Sequence, residues 1–148
     1  MKLEEAIKSS KFTDEKHKAA INVLYTAYWL KANFSAVIKK EDITVEQYNV
    51  LRILKGMHPE AMCVKDIGSR IIEKSSNIPR IVDRLVLKKL VKRAPSKLDK
   101  RETLVSLTDM GMNILARATV LMEQVQHDTG LNEKDALLLN ELLEKMRQ

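Results

Sequence analysis

The chain is poor in the residues that build sheets, staples and tight turns. It holds one cysteine, three prolines, four glycines and only 4% aromatics in 148 residues. A lone thiol, Cys63, excludes a disulfide within the chain and fits a reducing compartment, so a cytoplasmic protein is expected. Scarce glycine and aromatics beside abundant Leu, Ile and Met favour helices over sheets. No run reaches the ~18 apolar residues of a membrane span, and Met1-Lys2-Leu3-Glu4-Glu5 is too acidic for a secretory signal. No membrane partner is expected. His17, His58 and His127 match no compact metal-ligand spacing, which leaves them as dispersed structural histidines. There is no glycine-rich phosphate loop, and Ser75-Ser76 has no adjacent base signature. The expectation is a protein that is not an enzyme and needs no cofactor.

What the chain does have is charge in one place. Between Lys65 and Thr103 lie twelve Lys/Arg and five Asp/Glu, a local excess of +7 in a chain whose net charge is +6. The remainder is close to neutral, at −1. Such a concentration marks where an acidic, phosphate-bearing partner would bind, and double-stranded DNA fits it best. An ordinary solvated charged face is the plainer alternative.

The apolar spacing supplies the architecture. Ile21, Leu24, Tyr25, Tyr28, Trp29 and Ala32 form one stripe of a long helix over about residues 14–39, with Thr13 as its expected N-cap. Thr44-Val45-Glu46-Gln47 has the spacing of a capping box and opens a helix carrying Tyr48, Leu51 and Leu54, which Gly56 and Pro59 end. Val64 to Arg70 predicts a short third helix. The next begins in Ser75-Ser76-Asn77, with Pro79 in its first turn, where a missing N–H costs nothing. Its core face is Ile78, Ile81, Val82 and Leu85, and its opposite face is Asn77, Arg80, Arg84 and Lys88.

After Val91 the period shortens to two. Thr103, Val105 and Leu107 alternate as in a half-buried strand, and Lys97-Leu98-Asp99-Lys100-Arg101 is the tip of a hairpin. Thr108 caps a helix carrying Met112, Leu115, Thr119 and Met122, and Asn132 opens a last, leucine-rich helix with Leu138, Leu139, Leu142, Leu143 and Met146. That last helix is too short to stand alone. The simplest cover for the terminal apolar faces is one another, completed by a second subunit. The fold class is therefore mainly α with a small β-hairpin wing: a winged helix-turn-helix of about residues 44–108, flanked by dimerisation helices at about 14–39 and 109–147, in a single domain of 148 residues. Helix width matches the DNA major groove, and a basic wing suits the negative potential of the minor groove.

Several segments also resemble the multiple-antibiotic-resistance regulator (MarR) family. They are Thr44 to Leu51, Arg80-Ile81-Val82-Asp83-Arg84-Leu85, Leu90-Val91-Lys92-Arg93, Asp99-Lys100-Arg101 and Leu107-Thr108-Asp109-Met110-Gly111, in that order. The resemblance covers about residues 14–147. It implies a homodimeric transcription factor, usually a repressor, that binds a pseudo-palindromic operator and lets go when a small-molecule effector or an oxidant acts. It places Ser75, Ser76, Asn77, Arg80 and Arg84 on the DNA-facing side of the recognition helix, and Lys97, Lys100 and Arg101 on the wing, with Asp99 orienting a neighbouring arginine. Pro79 departs from the Thr or Ser often found there, and Lys100 from Arg, which removes a hydroxyl and a bidentate fork.

The resemblance also places an effector pocket near the junction of dimer helices and winged module, for which Tyr25, Tyr28 and Trp29 are candidates. Their position on the apolar stripe makes core packing the default for them. Cys63 is either a thiol-redox sensor or a small buried hydrophobe, and its apolar neighbours Met62 and Val64 favour the latter. A further alternative is a winged-helix adaptor that binds protein rather than DNA.

Overall fold

The computed structural model describes residues 1–74, 76–99 and 101–148. Seven helices and three strands follow in the order α1 Leu3–Ile7, α2 Glu15–Ile38, α3 Val45–Lys55, β1 Met62–Cys63, α4 Val64–Arg70, α5 Ile78–Leu87, β2 Val91–Pro95, β3 Thr103–Leu107, α6 Asp109–His127 and α7 Glu133–Met146. A short 3₁₀ turn, Lys39–Glu41, follows α2. The expected winged helix is present, with helices outnumbering strands as the composition requires. No described helix is long and apolar enough to cross a membrane.

The caps explain most of the boundaries. Thr44 and Gln47 form the reciprocal capping box, with Gln47 N donating to Thr44 Oγ1 at 3.2 Å and Thr44 N to Gln47 Oε1 at 3.2 Å. Asn132 caps α7, accepting from Asp135 N at 2.9 Å. At α2 the cap is Asp14, which accepts from His17 N at 2.8 Å, rather than Thr13, whose backbone N–H donates to His17 Nδ1 at 3.1 Å. A carboxylate adds attraction to the helix N-terminus that a hydroxyl lacks. The short helix α1 had no periodic signal, because five residues are too few to display one.

The core sits between α3, α5, α6 and the sheet. Ile38, Val50, Leu51, Leu54, Ile67, Val82, Leu85, Val105 and Leu115 are its fully buried large side chains. The sheet has three strands, not the two of a bare hairpin. Its order is β1-β3-β2, all antiparallel, with Met62 opposite Val105 and Val91 opposite Leu107. Strand β1 is two residues long, below the length at which alternation can be read. Pro95, the last residue of β2, is tolerated because β2 is an edge strand.

The terminal helices divide in two. Helix α2 packs on α3 and α6 through its C-terminal half, where Phe34, Val37 and Ile38 meet the core. The stripe further back does not become core within one chain. Leu24 and Tyr28 are 72% and 73% exposed, and Trp29 is also exposed. Helix α7 buries no residue at all, and Leu137, Leu138, Leu139, Leu142 and Met146 are all exposed.

One close approach ties the wing to α6. Helix α5 ends in a Schellman arrangement, with Leu90 N donating to Leu85 O and Lys89 N to Val86 O, both at 2.9 Å, and Lys89 at φ 60°. The Leu90 carbonyl then accepts from Thr108 N at 3.2 Å and from Thr108 Oγ1 at 3.1 Å, while Thr108 Oγ1 accepts from Gly111 N at 3.0 Å. A Cβ on Gly111 would lie 2.0 Å from the Leu90 oxygen. Gly111→Ala should therefore cost about 1–3 kcal/mol or more, because backbone must move. Gly68→Ala, whose Cβ would meet only Ile78 Cγ1 at 3.6 Å, should hold or raise stability. Urea midpoints of the two variants check this, and equal midpoints would refute it.

Candidate nucleic-acid interface

The helix-turn-helix is α4 and α5. Cys63 caps α4, its Sγ accepting from Asp66 N at 3.4 Å, so this half-buried thiol has a specific local role beyond filling space. The described residues 71–74 and 76–77 lie between α4 and α5. Ile71 anchors the turn in the core, Lys74 Nζ donates to Ser69 O at 2.6 Å, and Ser76 N donates to Glu73 O at 3.0 Å. Asn77 opens α5 as its N-cap, accepting from Arg80 N at 3.2 Å, and Pro79 sits in the first turn as the sequence predicts.

Helix α5 has two unlike faces. Ile78, Val82 and Leu85 are buried, and Arg80, Asp83, Arg84 and Leu87 are exposed. Helical periodicity puts the arginines outward once the aliphatic face has been buried. Ser76, also placed at this helix start by sequence, is half-buried, and Ser75 lies outside the described residues. Asn77 is accessible, but its side-chain oxygen is engaged in the cap. Bidentate recognition of adenine needs both amide atoms, so Arg80 is the stronger base-reading candidate of the two.

Ion pairs sort the remaining cations. Arg93 on β2 pairs with Asp83 on α5 at 2.6 Å and braces the wing against the recognition helix. Lys88, which shares the polar helical face, turns back to Asp42, with an ammonium–carboxylate distance of 3.0 Å and a second bond to the Asp42 carbonyl. Arg117 on α6 pairs with Glu41 at 2.8 Å. Among the described residues, Arg80, Arg84, Lys97 and Arg101 form no ion pair, and all four are exposed. Lys100 lies outside the described residues.

The wing is built from local hydrogen bonds. The buried Ser96 hydroxyl accepts from Leu98 N at 3.2 Å and Asp99 N at 3.3 Å. Asp99 Oδ1 accepts from Arg101 N at 2.9 Å, so this aspartate orients the arginine's backbone and not its guanidinium. Ser96 N donates to Glu102 O at 2.9 Å and closes the loop. Sequence reasoning missed Ser96 and the Asp83–Arg93 brace. A serine next to proline reads as generic turn composition, and the brace joins elements ten residues apart without helical or strand periodicity.

Two open cavities flank this surface. One of about 560 Å³ lies between the end of α2, the start of α3 and α5, and is lined by Ile38, Asp42, Thr44, Arg84 and Lys88 among others. The other, of about 360 Å³, lies between the start of α5 and the wing and includes Cys63, Pro79, Arg93 and Arg101. Tyr25, Tyr28 and Trp29 line neither.

A three-way ion pair joins α2 to this region. Lys31 Nζ lies 2.7 Å from Glu73 in the turn before α5 and 3.2 Å from Glu46 in the first turn of α3. Partial burial works against the Glu46 charge, but hydrogen bonding by its own backbone and by Lys31 outweighs this and holds its carboxyl below the ordinary glutamate value. Hydrogen bonds to Glu73 and then Glu46 hold the Lys31 ammonium above the ordinary lysine value.

Comparison with known proteins agrees with the geometry. The family model described as transcriptional regulator SarA/Rot matches residues 32–118. The HTH-type transcriptional repressor IacR of Pseudomonas putida is 34% identical over 126 residues, covering 79% of this chain and 74% of that protein. The HTH-type transcriptional regulator TtmR of Methylorubrum extorquens is 32% identical over 109 residues, covering 72% of this chain, which spans only 55% of that relative's length. Among solved structures, an E. coli MarR mutant complexed with operator DNA matches with a TM-score of 0.80 at 23% identity, over 93% of this chain and 99% of that one. Bordetella bronchiseptica BpsR, from a study of how 6-hydroxynicotinic acid regulates its DNA binding, matches with a TM-score of 0.73 at 25% identity, over 88% of this chain and 99% of that one.

The Lys31 pairs predict a pH dependence. A lowered Glu46 pKa gives stability that is present above about pH 4.3, the unfolded value, and is lost as pH falls through the folded one. A raised Lys31 pKa gives stability that is present below about pH 10.4 and is lost as pH rises through the folded value. Lys31→Met should therefore lower stability at pH 7 by about 1 kcal/mol or less, since these pairs are solvent-exposed. The difference from wild type should be smaller at about pH 3 than at pH 7, because pH then falls toward the lowered value of the Glu46 carboxyl. Urea unfolding at both pH values checks this, and an equal deficit at each would show that the pairs contribute nothing.

Proposed function

The chain belongs to the SarA/Rot family of transcriptional regulators, DNA-binding proteins of MarR-like winged-helix type, and we propose that it acts as a homodimeric repressor on a pseudo-palindromic operator and is released by a small-molecule effector. The observation that carries this reading is the clustering of unpaired cations on two neighbouring elements, Arg80 and Arg84 on the exposed face of α5 and Lys97 and Arg101 on the wing. In this reading α5 enters the major groove, where Arg80 reads base edges. The wing follows the backbone into the minor groove. Wing cations supply affinity by releasing counterions. Residues 44–108 act as the DNA-binding module, with Ser75, Ser76, Asn77 and Lys100 as further contacts.

The dimer is supported by the apolar surface that one chain leaves in water. Leu24, Tyr28 and Trp29 on α2 and the leucines of α7 together exceed what scattered exposed residues account for. A second copy would cover them and present two recognition helices about 34–36 Å apart, one DNA turn. The similarity to the transcriptional repressor IacR supports repression, and the ligand-regulated DNA binding of BpsR supports an effector. An effector would act by favouring one spacing of the two recognition helices over another. The dimer surface around Tyr25, Tyr28 and Trp29 is the candidate pocket, to be completed by the partner subunit.

One set of measurements tests the reading. Sedimentation at micromolar concentration should give a dimer, and a clean monomer would sink the two-fold operator. On a duplex selected from random DNA, Arg80→Ala should cost about 1–3 kcal/mol, and much less on a scrambled duplex. Lys97→Ala should weaken both duplexes alike and reduce the salt slope by about one. If Arg80→Ala weakened both equally while Lys97→Ala changed sequence preference, the two roles would be reversed. If neither variant affected DNA, the adaptor alternative would replace this reading.

A further inference from the structure

The wing tip carries one side chain that phosphate contact leaves unused. Leu98 is 100% exposed, with Lys97 on one side and Asp99 on the other. Hairpin tips ordinarily present Gly, Asn, Asp or Ser, and they are mobile. This tip has Ser96 and Asp99 in that role and sets a leucine between them. Ser96, 6% exposed, accepts hydrogen bonds from the Leu98 and Asp99 amides, and Asp99 holds the amides of Arg101 and Glu102, the first through its carboxylate and the second through its carbonyl. The backbone on both sides of Leu98 is thus fixed by buried or charged acceptors, and its isobutyl group is presented at the apex of a cationic hairpin. A lone exposed leucine needs no explanation. A leucine whose flanking amides are hydrogen-bonded, at the point of a charged arm, has a geometry suited to insertion.

We propose that Leu98 is a specificity-determining residue that enters the DNA minor groove, packs against its deoxyribose walls and floor, and selects A·T over G·C pairs there. The proposal rests on the reading of the wing as a DNA-contacting element. The minor groove is about 6 Å wide, and its G·C pairs add the guanine N2 amino group to the floor. An isobutyl group cannot accept that hydrogen bond and competes for the same space, so contact strands a desolvated donor. Over A·T pairs the floor carries only acceptors, so the leucine strands no donor there. Apolar side chains of this size recur in proteins that bind the minor groove. Lys97 and Arg101 deliver the tip to DNA of any sequence, and Leu98 makes the outcome depend on the floor.

The test uses the full-length protein and a duplex recovered by selection from random DNA, with the base pairs flanking each major-groove half-site changed in turn to G·C or to inosine·C. Inosine lacks the N2 amino group, so I·C matches A·T in the minor groove and G·C in the major groove. Wild type should bind A·T and I·C flanks within twofold of one another and G·C flanks about tenfold more weakly. Leu98→Ala should bring all three within about twofold with the salt slope unchanged, and Leu98→Met should retain most of the discrimination. A Leu98→Ala protein that still discriminates tenfold, or a wild type that treats I·C like G·C, would overturn the proposal. Lys97→Ala separates the two levels of failure. If it weakens every duplex while Leu98→Ala leaves discrimination intact, the wing is on DNA and only the role of Leu98 is wrong. If Lys97→Ala changes nothing, the wing is not on DNA and both fall.

Discussion

One backbone carbonyl joins the recognition helix, the wing and the long helix α6. The Leu90 oxygen sits where helix α5 has just ended, β2 begins, β3 has just ended and α6 begins, and it is held by the Thr108 amide and hydroxyl. Gly111 is the residue that lets α6 come this close. Shared partners make the joint stiff, because Thr108 Oγ1 donates to the Lys89 and Leu90 carbonyls while it accepts from Gly111 N. A backbone carbonyl buried among four element ends must find donors or cost stability. Here one threonine supplies two donors and a glycine supplies the room. The recognition helix, the wing and the long helix α6 are consequently tied together at this one joint.

Charge placement follows from this geometry. The buried face of α5 is fixed by Ile78, Val82 and Leu85, which leaves its arginines no direction but outward. Three ion pairs then remove the cations that would otherwise blur the surface. Arg93 goes to Asp83, Lys88 to Asp42 and Arg117 to Glu41. None of these exposed pairs contributes much stability. Their structural effect is to brace the wing against α5 and to direct Lys88 and Arg117 toward the α2–α3 junction. Lys31 continues the pattern on the other side of that junction, where it links α2 to the turn that precedes the recognition helix. Helix α2 is thereby joined to the DNA-facing elements by polar contacts as well as by Phe34, Val37 and Ile38.

Much of this was legible before any coordinates. Helix α5 announced both faces because ten residues give nearly three turns of periodicity, and Asn77 with Pro79 marked its start chemically. The caps Thr44, Thr108 and Asn132 were readable for the same reason: capping is local. What was not legible is what depends on distance in space. Strand β1 exists only because β3 pairs with it, and α1 is too short for a pattern. The Asp83–Arg93 and Lys31–Glu73 pairs are side-chain choices among many charged residues. The apolar stripe of α2 misled in a different way. Periodicity reports that Leu24, Tyr28 and Trp29 share a face, but not whether the chain itself supplies anything to cover it.

That uncovered face is where rigidity gives way. Within the module, the Leu90 joint, the Schellman turn and the core tie α5 to α6. Outside it, α7 buries none of its residues, and the aromatic half of α2 stands in water. In the proposed dimer these surfaces meet their copies, so the spacing of the two recognition helices is set by how α2, α6 and α7 pack across the two-fold axis. In that proposal a module joined in this way would carry a change in the packing to the groove. Two modules that must reach major grooves one turn apart tolerate little displacement. An effector therefore has no need to approach the DNA-binding residues. It needs only to bind one packing of the terminal helices more tightly than another. The proposed pocket residues Tyr25, Tyr28 and Trp29 belong to that proposed dimer surface.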